Sequence, residues 1–352
     1  MQASAGTQAL AGWLVPTVAG RWYTTFMQDL AVIIVSANSG HWLRPCLSTL
    51  LAHAGGVRLD VVVVDSACTD DTVSIVRSEF PWARTVSCEN GGFAYGNNRG
   101  FLTTSAPFVL FLNPDTEILE GTFADLLELL EGRPEVGLVG VRSRTPEGVQ
   151  WPTIRRFPSP SRIFFEALGA EHLPLRASWL GERELDPRAY ERDTPCDWVS
   201  GSFMLARRET LLGAGLMDER YFLYCEEPDL CLRIKAAGWE VRHLPAMQIL
   251  HHAKHAGFDA RLFAQQAYSR RLYLHRHFGP LRRRAGLAAY GVGYLLRAIA
   301  GGQDRALARD QRVASRAALK VLLGKAPPPF TSSAAQAVAP DRAGWTPVRV
   351  AS

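Results

Sequence analysis

Two carboxylate-bearing stretches, a histidine pair and one asparagine-rich stretch carry the residue types that can do chemistry. Asn113-Pro114-Asp115 sets a carboxylate directly after a proline that fixes the local backbone. A carboxylate held in that way suits a hard divalent cation, and such a cation can bridge a diphosphate and neutralise a leaving group. The plainer reading is an Asn-Pro-Asp turn with a helix cap on Thr116 or Glu117. Residues 221–233 read YFLYCEEPDLCLR, with Glu226, Glu227 and Asp229 behind an aromatic run. A carboxylate against a dry aromatic wall has its pKa raised and can serve as a general base. The plainer reading is a helix start, where acids favour the macrodipole and proline sits early. Glu227 and Asp229 cannot both face inward on one helical turn, so at least one of them is structural. His251-His252, with His255 just beyond, follow a short strand candidate, where a neutral imidazole could complete a metal site or contact phosphate. Neighbours on a strand face opposite ways, so at most one of the pair reaches a site. The spacing does not fit catalytic zinc. Residues 89–100 read ENGGFAYGNNRG. Glycine lets a backbone approach a ligand, and asparagine offers a donor and an acceptor on one short arm. Together they suit a loop wrapped around a polar small molecule, or, more plainly, a glycine-rich surface turn.

These residues need elements to position them. Residues 30–36 (LAVIIVS), 60–65 (DVVVVD) and 108–112 (FVLFL) are apolar runs of the kind buried on both faces of a parallel sheet. Further strands are expected near 85–87 and at 136–141, with helices over 42–54, 69–79 and 120–131. This βαβαβ order predicts an open α/β sheet, whose ligands bind at the carboxyl ends of the strands. Ser36-Ala37-Asn38, Asp65-Ser66, the stretch from Asn90 and Asn113-Pro114-Asp115 then converge on one edge. Residues 151–195 show no clean period and read as a surface excursion. A strand over 198–206, a helix over 228–237 and short strands at 241–244 and 247–250 follow. Residues 259–280 and 281–324 read as helical.

The chain has 352 residues, 47% hydrophobic and 21% charged, which fits a globular protein with a sizeable core. The net charge of +5 is uneven. Residues 281–325 hold ten Lys/Arg and two Asp, a net of +8, which leaves −3 for the remainder. Those basic residues lack the interleaved aromatics of a stacking platform, which argues against nucleic acid. A basic helix with an apolar face could lie on an anionic membrane surface; the alternative is a helical pair packed on the main domain with a solvated basic face. Six cysteines without CxxC or zinc-like spacing point to reduced thiols and a cytoplasmic protein. No export signal and no membrane-spanning run is read. Residues 1–26 read as a poorly ordered extension, and the Pro/Ala/Ser-rich residues 326–352 as disordered.

Taken together, residues 30–278 resemble glycosyltransferase family 2, in its bacterial rhamnosyltransferase-like branch. Val35-Ser36-Ala37-Asn38 is similar to the family's V-S-Y-N, with Ala for the aromatic. In the segment 64–72, Asp65, Asp70 and Thr72 match V-D-N-x-S-x-D-x-T, whereas the Asn and Ser do not. Residues 90–100 meet N-x-G-F-A-x-G-x-N-x-G in full. Asn113-Pro114-Asp115 is the family's N-P-D variant, residues 198–201 its W-x-x-G, and residues 222–233 its F-L-Y-x-E-D-x-D-L-C-x-R, with Glu227 where Asp is usual.

The resemblance implies a type A glycosyltransferase fold, a Rossmann-like, mostly parallel α/β sheet flanked by helices, with a helical C-terminal extension. It implies a catalytic domain over 27–258, with a nucleotide-sugar half to 145 and an acceptor half from 146, and a basic helical region over 259–325. The donor would meet Ser36, Asn38, Asp65, Asn90, Gly92, Phe93, Gly96, Asn98 and Asn113, with Asp65 on the pyrimidine base. Asp115 and His251 (or His252 in a shifted register) would hold Mg2+ or Mn2+. Glu227 would be the base, with Glu226 its rival, and Trp198, Gly201 and Asp229 would meet the acceptor. The implied activity is an inverting, metal-dependent transfer of rhamnose from dTDP-rhamnose to a cell-surface polysaccharide or a polyprenyl-lipid-linked glycan, at the inner face of the cell membrane. The alternatives are a UDP-hexose donor on the same fold, or a non-catalytic nucleotide-sugar or glycan binder.

Overall fold

A computed structural model describes residues 29–169, 180–252, 259–299 and 305–331. The expectations for residues 1–26, for His255 and for most of the tail lie outside the described residues. The elements run β1 (Asp29–Ser36), α1 (Gly40–Ala52), β2 (Arg58–Ser66), α2 (Thr72–Glu79), β3 (Arg84–Cys88), α3 (Phe93–Leu102), β4 (Phe108–Leu112), β5 (Thr116–Glu120), α4 (Phe123–Glu131), β6 (Val136–Arg144) and β7 (Ile154–Arg155). There follow α5 (Pro160–Ala167), β8 (Thr194–Pro195), β9 (Trp198–Val199), β10 (Phe203–Arg207), α6 (Arg208–Ala214), α7 (Glu226–Ala236), β11 (Glu240–His251), α8 (Ala260–His277), α9 (Pro280–Ile299) and α10 (Arg305–Leu322).

The main sheet has the order β3-β2-β1-β4-β10-β6-β11-β5, with β8 added on β11. β10 and β5 run against their neighbours, and the sheet is otherwise mostly parallel. Along β1, Ala31, Ile33 and Val35 join one core while Leu30, Val32 and Ile34 join the other. This alternation follows from the two-residue period of a strand covered on both faces. α1, α2 and α4 cover one face; α3 and α7 cover the other. The register pairs Ser36 with Asp65 and Asp65 with Ser87, so the strand ends meet on one edge as expected.

Several elements differ from the sequence reading. The stretch expected as a loop over 89–100 is mostly the helix α3. A Cβ on Gly96 would meet Val35 at 2.7 Å and one on Gly100 would meet Ile33 at 2.5 Å, so glycine here lets a helix lie close on β1. The helix expected from 120 starts at Phe123, capped by Thr122, because Thr116–Glu120 is a strand paired with β11. The strand expected over 198–206 is split into β9 and β10 by a turn at Gly201-Ser202. The two short strands expected over 241–250 are one strand whose register shifts between Leu244 and Gln248. Residues 281–324 form two helices. Composition predicts disorder from 326, yet Phe330 stacks on Phe222 with ring centroids 5.1 Å apart, and its N–H donates to Gln265 Oε1 at 3.3 Å.

One buried charge cluster joins the sheet domain to the C-terminal helices. Asp229, fully buried in α7, accepts from Arg233 Nε at 2.8 Å and Nη2 at 2.6 Å. It also meets His277 Nε2 of α8 at 2.7 Å. Burial alone would raise this carboxyl, but the bonds from His277 and Arg233 outweigh it and hold Asp229 below its ordinary 3.8. A group depressed in the folded state lends stability above its unfolded pKa and loses it as pH falls through the folded value. Asp229→Ala therefore costs about 3–5 kcal/mol in chemical denaturation at neutral pH, since it strands a buried arginine. The variant's stability also falls less steeply than wild type as pH drops below about 4. Equal acid slopes for the two proteins would refute the assignment.

Candidate active site

At the first two strand ends, the polar residues mostly hold each other. Ser36 is fully buried; its Oγ lies 3.1 Å from Thr72 Oγ1 and accepts from Ser39 N at 3.3 Å. Asn38 adopts φ 60°, and its Oδ1 accepts from Thr69 N at 2.7 Å and Asp70 N at 3.3 Å. Asp70 in turn accepts from Gly40 N at 2.9 Å and Thr72 N at 3.1 Å. The side-chain oxygens of Ser36 and Asn38, both expected as donor contacts, knit the loops after β1 and β2. Asp65 is buried at the end of β2, with Oδ1 accepting from Cys68 N at 2.8 Å.

The asparagine-rich stretch divides into two jobs. Asn90 is exposed, and its Oδ1 accepts from Gly92 N at 3.3 Å and Ser66 Oγ at 3.4 Å, tying the ends of β2 and β3. Gly92 adopts φ 92° and presses on the carbonyl of Phe222, so a Cβ there has no room. The N–H of the half-buried Phe93 donates to that carbonyl at 2.8 Å. Farther along, Asn98 is buried, donating to Met217 O at 2.9 Å and Glu219 Oε1 at 3.0 Å and accepting from Met217 N at 3.2 Å. Gly96 faces Val35. Gly96 and Asn98, also expected as donor contacts, serve helix packing and a clamp on residues 217–219.

After β4, Asp115 and His251 come together across the β5–β11 pairing, with Oδ1 and Nε2 3.4 Å apart. Asn113 Nδ2 lies 3.4 Å from the same His251 nitrogen, and Trp151 stands edge-on to its ring at 5.9 Å. His252 points the other way. It lies 2.5 Å from Glu117 Oε1 and stacks on Trp42 at 4.4 Å. One of the pair reaches the strand-end aspartate, as the strand alternation requires. No cluster of three His, Cys, Asp or Glu able to hold a metal occurs among the described residues. The Asp115–His251 pair offers one carboxylate and one imidazole, donors suited to Mn2+ and compatible with Mg2+, and leaves other positions to diphosphate and water.

Opposite stands the start of α7. Tyr224 and Cys225 adopt φ 72° and 69°, two consecutive left-handed residues that are not glycine. Such strain persists only where the surroundings impose it. It leads directly into the first turn of α7, where three acids point three ways. Asp229, expected as an acceptor contact, turns away toward α8. Glu226 is buried with Oε2 unpartnered, and burial together with the adjacent Glu227 pushes its carboxyl well above the usual range. Glu227 is half-buried and accepts from Gly201 N at 3.2 Å. Burial raises its carboxyl, while hydrogen bonding to Gly201 and the charge of Arg155 restrain the rise. The next residue, Ser202, accepts at its carbonyl from Asn113 N at 3.2 Å. Two backbone segments therefore join Glu227 to the Asp115–His251 pair.

Trp198 donates from its indole to Arg156 O at 2.9 Å and lies under the Arg155 guanidinium at 5.4 Å. Arg155, Trp42, Trp151 and Glu117 do not stand out in the sequence. Residues 151–157 follow no period, and a lone arginine carries no spacing signal.

The chain matches the model of the family described as Glycosyl transferase family 2 over residues 31–208, just over half its length. It is 30% identical over 242 residues to an N-acetylglucosaminyl-diphospho-decaprenol L-rhamnosyltransferase of Mycobacterium tuberculosis, covering 64% of this chain and 77% of that protein. It is 26% identical over 247 residues to the rhamnosyltransferase WbbL of Escherichia coli K12, covering 67% and 87%. Among solved structures, it resembles the mannosyltransferase PcManGT of Pyrobaculum calidifontis in complex with GDP-Man and Mn2+, with TM-score 0.51, 18% identity and 86% and 89% coverage. It also resembles GalNAc-T7 with UDP, GalNAc and Mn2+, with TM-score 0.55, 12% identity and 82% and 55% coverage. These likenesses show a type A glycosyltransferase fold.

A Cβ at Gly201 would fall 2.7 Å from Glu227 Oε1. Gly201→Ala is therefore expected to drive the carboxylate off the Gly201 N–H, at a cost of about 1–3 kcal/mol in stability. Loss of that bond raises the Glu227 carboxyl further, seen as a later titration by carbon-13 NMR of labelled glutamate. An unchanged titration would show that Gly201 does not restrain Glu227.

Proposed function

The chain belongs to glycosyl transferase family 2, and from that premise we propose an inverting, divalent-cation-dependent transfer of rhamnose from dTDP-rhamnose to a lipid-linked glycan precursor of a cell-surface polysaccharide. The observation that carries the reading is the join between Glu227 and Asp115. A carboxylate with a raised pKa and a phosphate-side Asp/His pair share one short hydrogen-bonded framework through residues 201–202 and 113. The relatives named as rhamnosyltransferases support the sugar, and the decaprenol-linked substrate in one name supports the acceptor class.

Asp65 and Asn90, at the ends of β2 and β3, line the nucleotide end of the cleft. Asp115 and His251 would hold Mn2+ or Mg2+. When bound there, the cation would neutralise charge building on the departing diphosphate. Glu227, rather than the deeper Glu226, takes the proton from the acceptor hydroxyl. As that oxygen bonds to the anomeric carbon, the bond from carbon to the nucleoside diphosphate breaks. A single displacement with base and leaving group on opposite sides inverts the centre. Trp198 and Gly201 border the acceptor side.

No helix among the described residues is long and apolar enough to cross a membrane. Leu281, Leu295, Leu296 and Ile299 are exposed on α9, beside exposed Arg282 and Arg284. Such a face suits peripheral contact with an anionic leaflet, at the cytoplasmic side where the precursor would be built.

Purified protein given Mn2+ or Mg2+ and a panel of dTDP- and UDP-sugars is expected to turn over dTDP-rhamnose, and to stop when the metal is chelated. Asp115→Asn and His251→Ala lose the metal dependence along with the activity. Glu227→Gln lowers kcat by about 10^2–10^4-fold. Because the Glu227 carboxyl lies above its ordinary 4.5, kcat rises with pH through a midpoint above that value, and the limb disappears in Glu227→Gln. Turnover of a UDP-hexose alone would overturn the donor. Binding without turnover, even with membrane extract as acceptor source, would overturn catalysis.

A further inference from the structure

A cavity of about 370 Å³ opens beside β7 and β8, with Lys235 reaching it from the last turn of α7. Arg155, Arg156, Arg162 and Lys235 bring four cations to it, and Glu184 and Asp197 bring two carboxylates, a net of +2. Both carboxylates are already committed. Glu184 pairs with Arg156. Asp197 pairs with Lys235 at 3.1 Å and also accepts from Phe157 N at 2.9 Å. Arg155 and Arg162 have no carboxylate within ion-pair distance among the described residues. Arg162 donates to Phe157 O at 2.9 Å, a neutral partner. Arg155 Nε is buried without a hydrogen-bond partner, and its guanidinium rests over Trp198. Burial and the nearby Arg183 hold Arg155 below its ordinary pKa. The charges of Glu182 and Glu166 offset this only in part, since neither carboxylate lies within ion-pair distance of Arg155.

One residue connects the cavity to the N-terminal end of α7. Arg155 lines it and is also close enough to act on the Glu227 carboxyl. From Glu227 to Lys235, α7 rises eight residues, about 12 Å at 1.5 Å per residue. An acceptor sugar with one hydroxyl at Glu227 would direct the substituent on its far side along this path. In a doubly esterified diphosphate each phosphoryl group carries one negative charge, which matches the net charge of the cavity. Planar guanidinium forks suit phosphoryl oxygens.

We infer that this cavity is the subsite for the acceptor's diphosphate, the group that joins the acceptor sugar to its lipid carrier, with Arg155 and Arg162 as its principal contacts. The inference rests on the acceptor class proposed above. Trp198 then backs Arg155 and keeps its fork open toward the phosphoryl group.

Calorimetry on the full chain tests it without requiring turnover. The probes are N-acetylglucosaminyl-diphosphoryl-octane, the neutral octyl glycoside of the same sugar, and inorganic pyrophosphate. Wild type is expected to prefer the diphosphoryl probe over the neutral one by about tenfold or more, and Arg155→Gln and Arg162→Gln are each expected to lose that preference. Thermal melts confirm that both variants fold, and the shallower Arg162 serves if Arg155→Gln does not. Equal affinity for the two sugars, or a preference retained when folded variants lack these arginines, overturns the subsite. Pyrophosphate bound as tightly as the diphosphoryl sugar, with the same arginine dependence, also overturns it in favour of a free-anion site. If the arginine-dependent preference holds while no donor is turned over, the subsite stands and the catalytic reading fails. Transfer to the neutral glycoside with no diphosphate preference gives the reverse result.

Discussion

The site depends on one constraint: three carboxylates crowd the first turn of α7, and no two of them can share an environment. Buried like charges repel, and each needs its own partner or its own proton. Asp229 finds its partners in the Arg233 guanidinium and the His277 imidazole. Glu226 goes into the core, where burial favours the neutral acid. Glu227 stays half-buried, with its carboxylate accepting from the backbone N–H of Gly201. The split follows from the helix itself, whose rotation of about 100° per residue sends positions 226, 227 and 229 in different directions.

Much of this arrangement is legible in the sequence, and the remainder is hidden for identifiable reasons. Strands β1, β2 and β4 are uninterrupted apolar runs, and burial on both faces gives them no competing interpretation. The convergence of their ends follows from parallel pairing alone. α3 reads as a loop because glycine and asparagine are poor helix formers. Here tertiary packing on Val35 and Ile33 outweighs propensity. The reversed strand β10 lies between β4 and β6, which no local pattern announces.

Site residues divide along a similar line. Asp115 and His251 can be found because a strand end and a strand partner fix their meeting. Ser36 and Asn38 after β1, and Gly96 and Asn98 within α3, read as ligand contacts from residue type and motif, which say nothing of the protein partners these residues also hold. Those partners appear only in the structure, such as the three bonds of the Asn98 amide. Asp229 belongs to the same class. Arg155 is invisible for the opposite reason: among the described residues it has no carboxylate within ion-pair distance, and the lack of a close partner has no sequence signature.

The C-terminal helices are packed into the candidate site's framework rather than appended to it. His277 of α8 reaches Asp229, Ser269 donates to Leu223 O at 2.7 Å, and Phe330 stacks on Phe222. The last two contacts fall on the segment that ends in the strained turn before Glu226, and the first on the helix that the turn opens. That segment also presses on Gly92 and binds Phe93 N from the other side. It is therefore held between the donor-side helix α3 and the C-terminal helices. A backbone strained at two successive residues would relax if either support were lost, and the direction of Glu227 would go with it. The basic C-terminal region thus bears on the candidate site through mechanical support of the segment that leads into Glu227. A membrane contact at α9 would act on the same body of helices that holds the carboxylate in place.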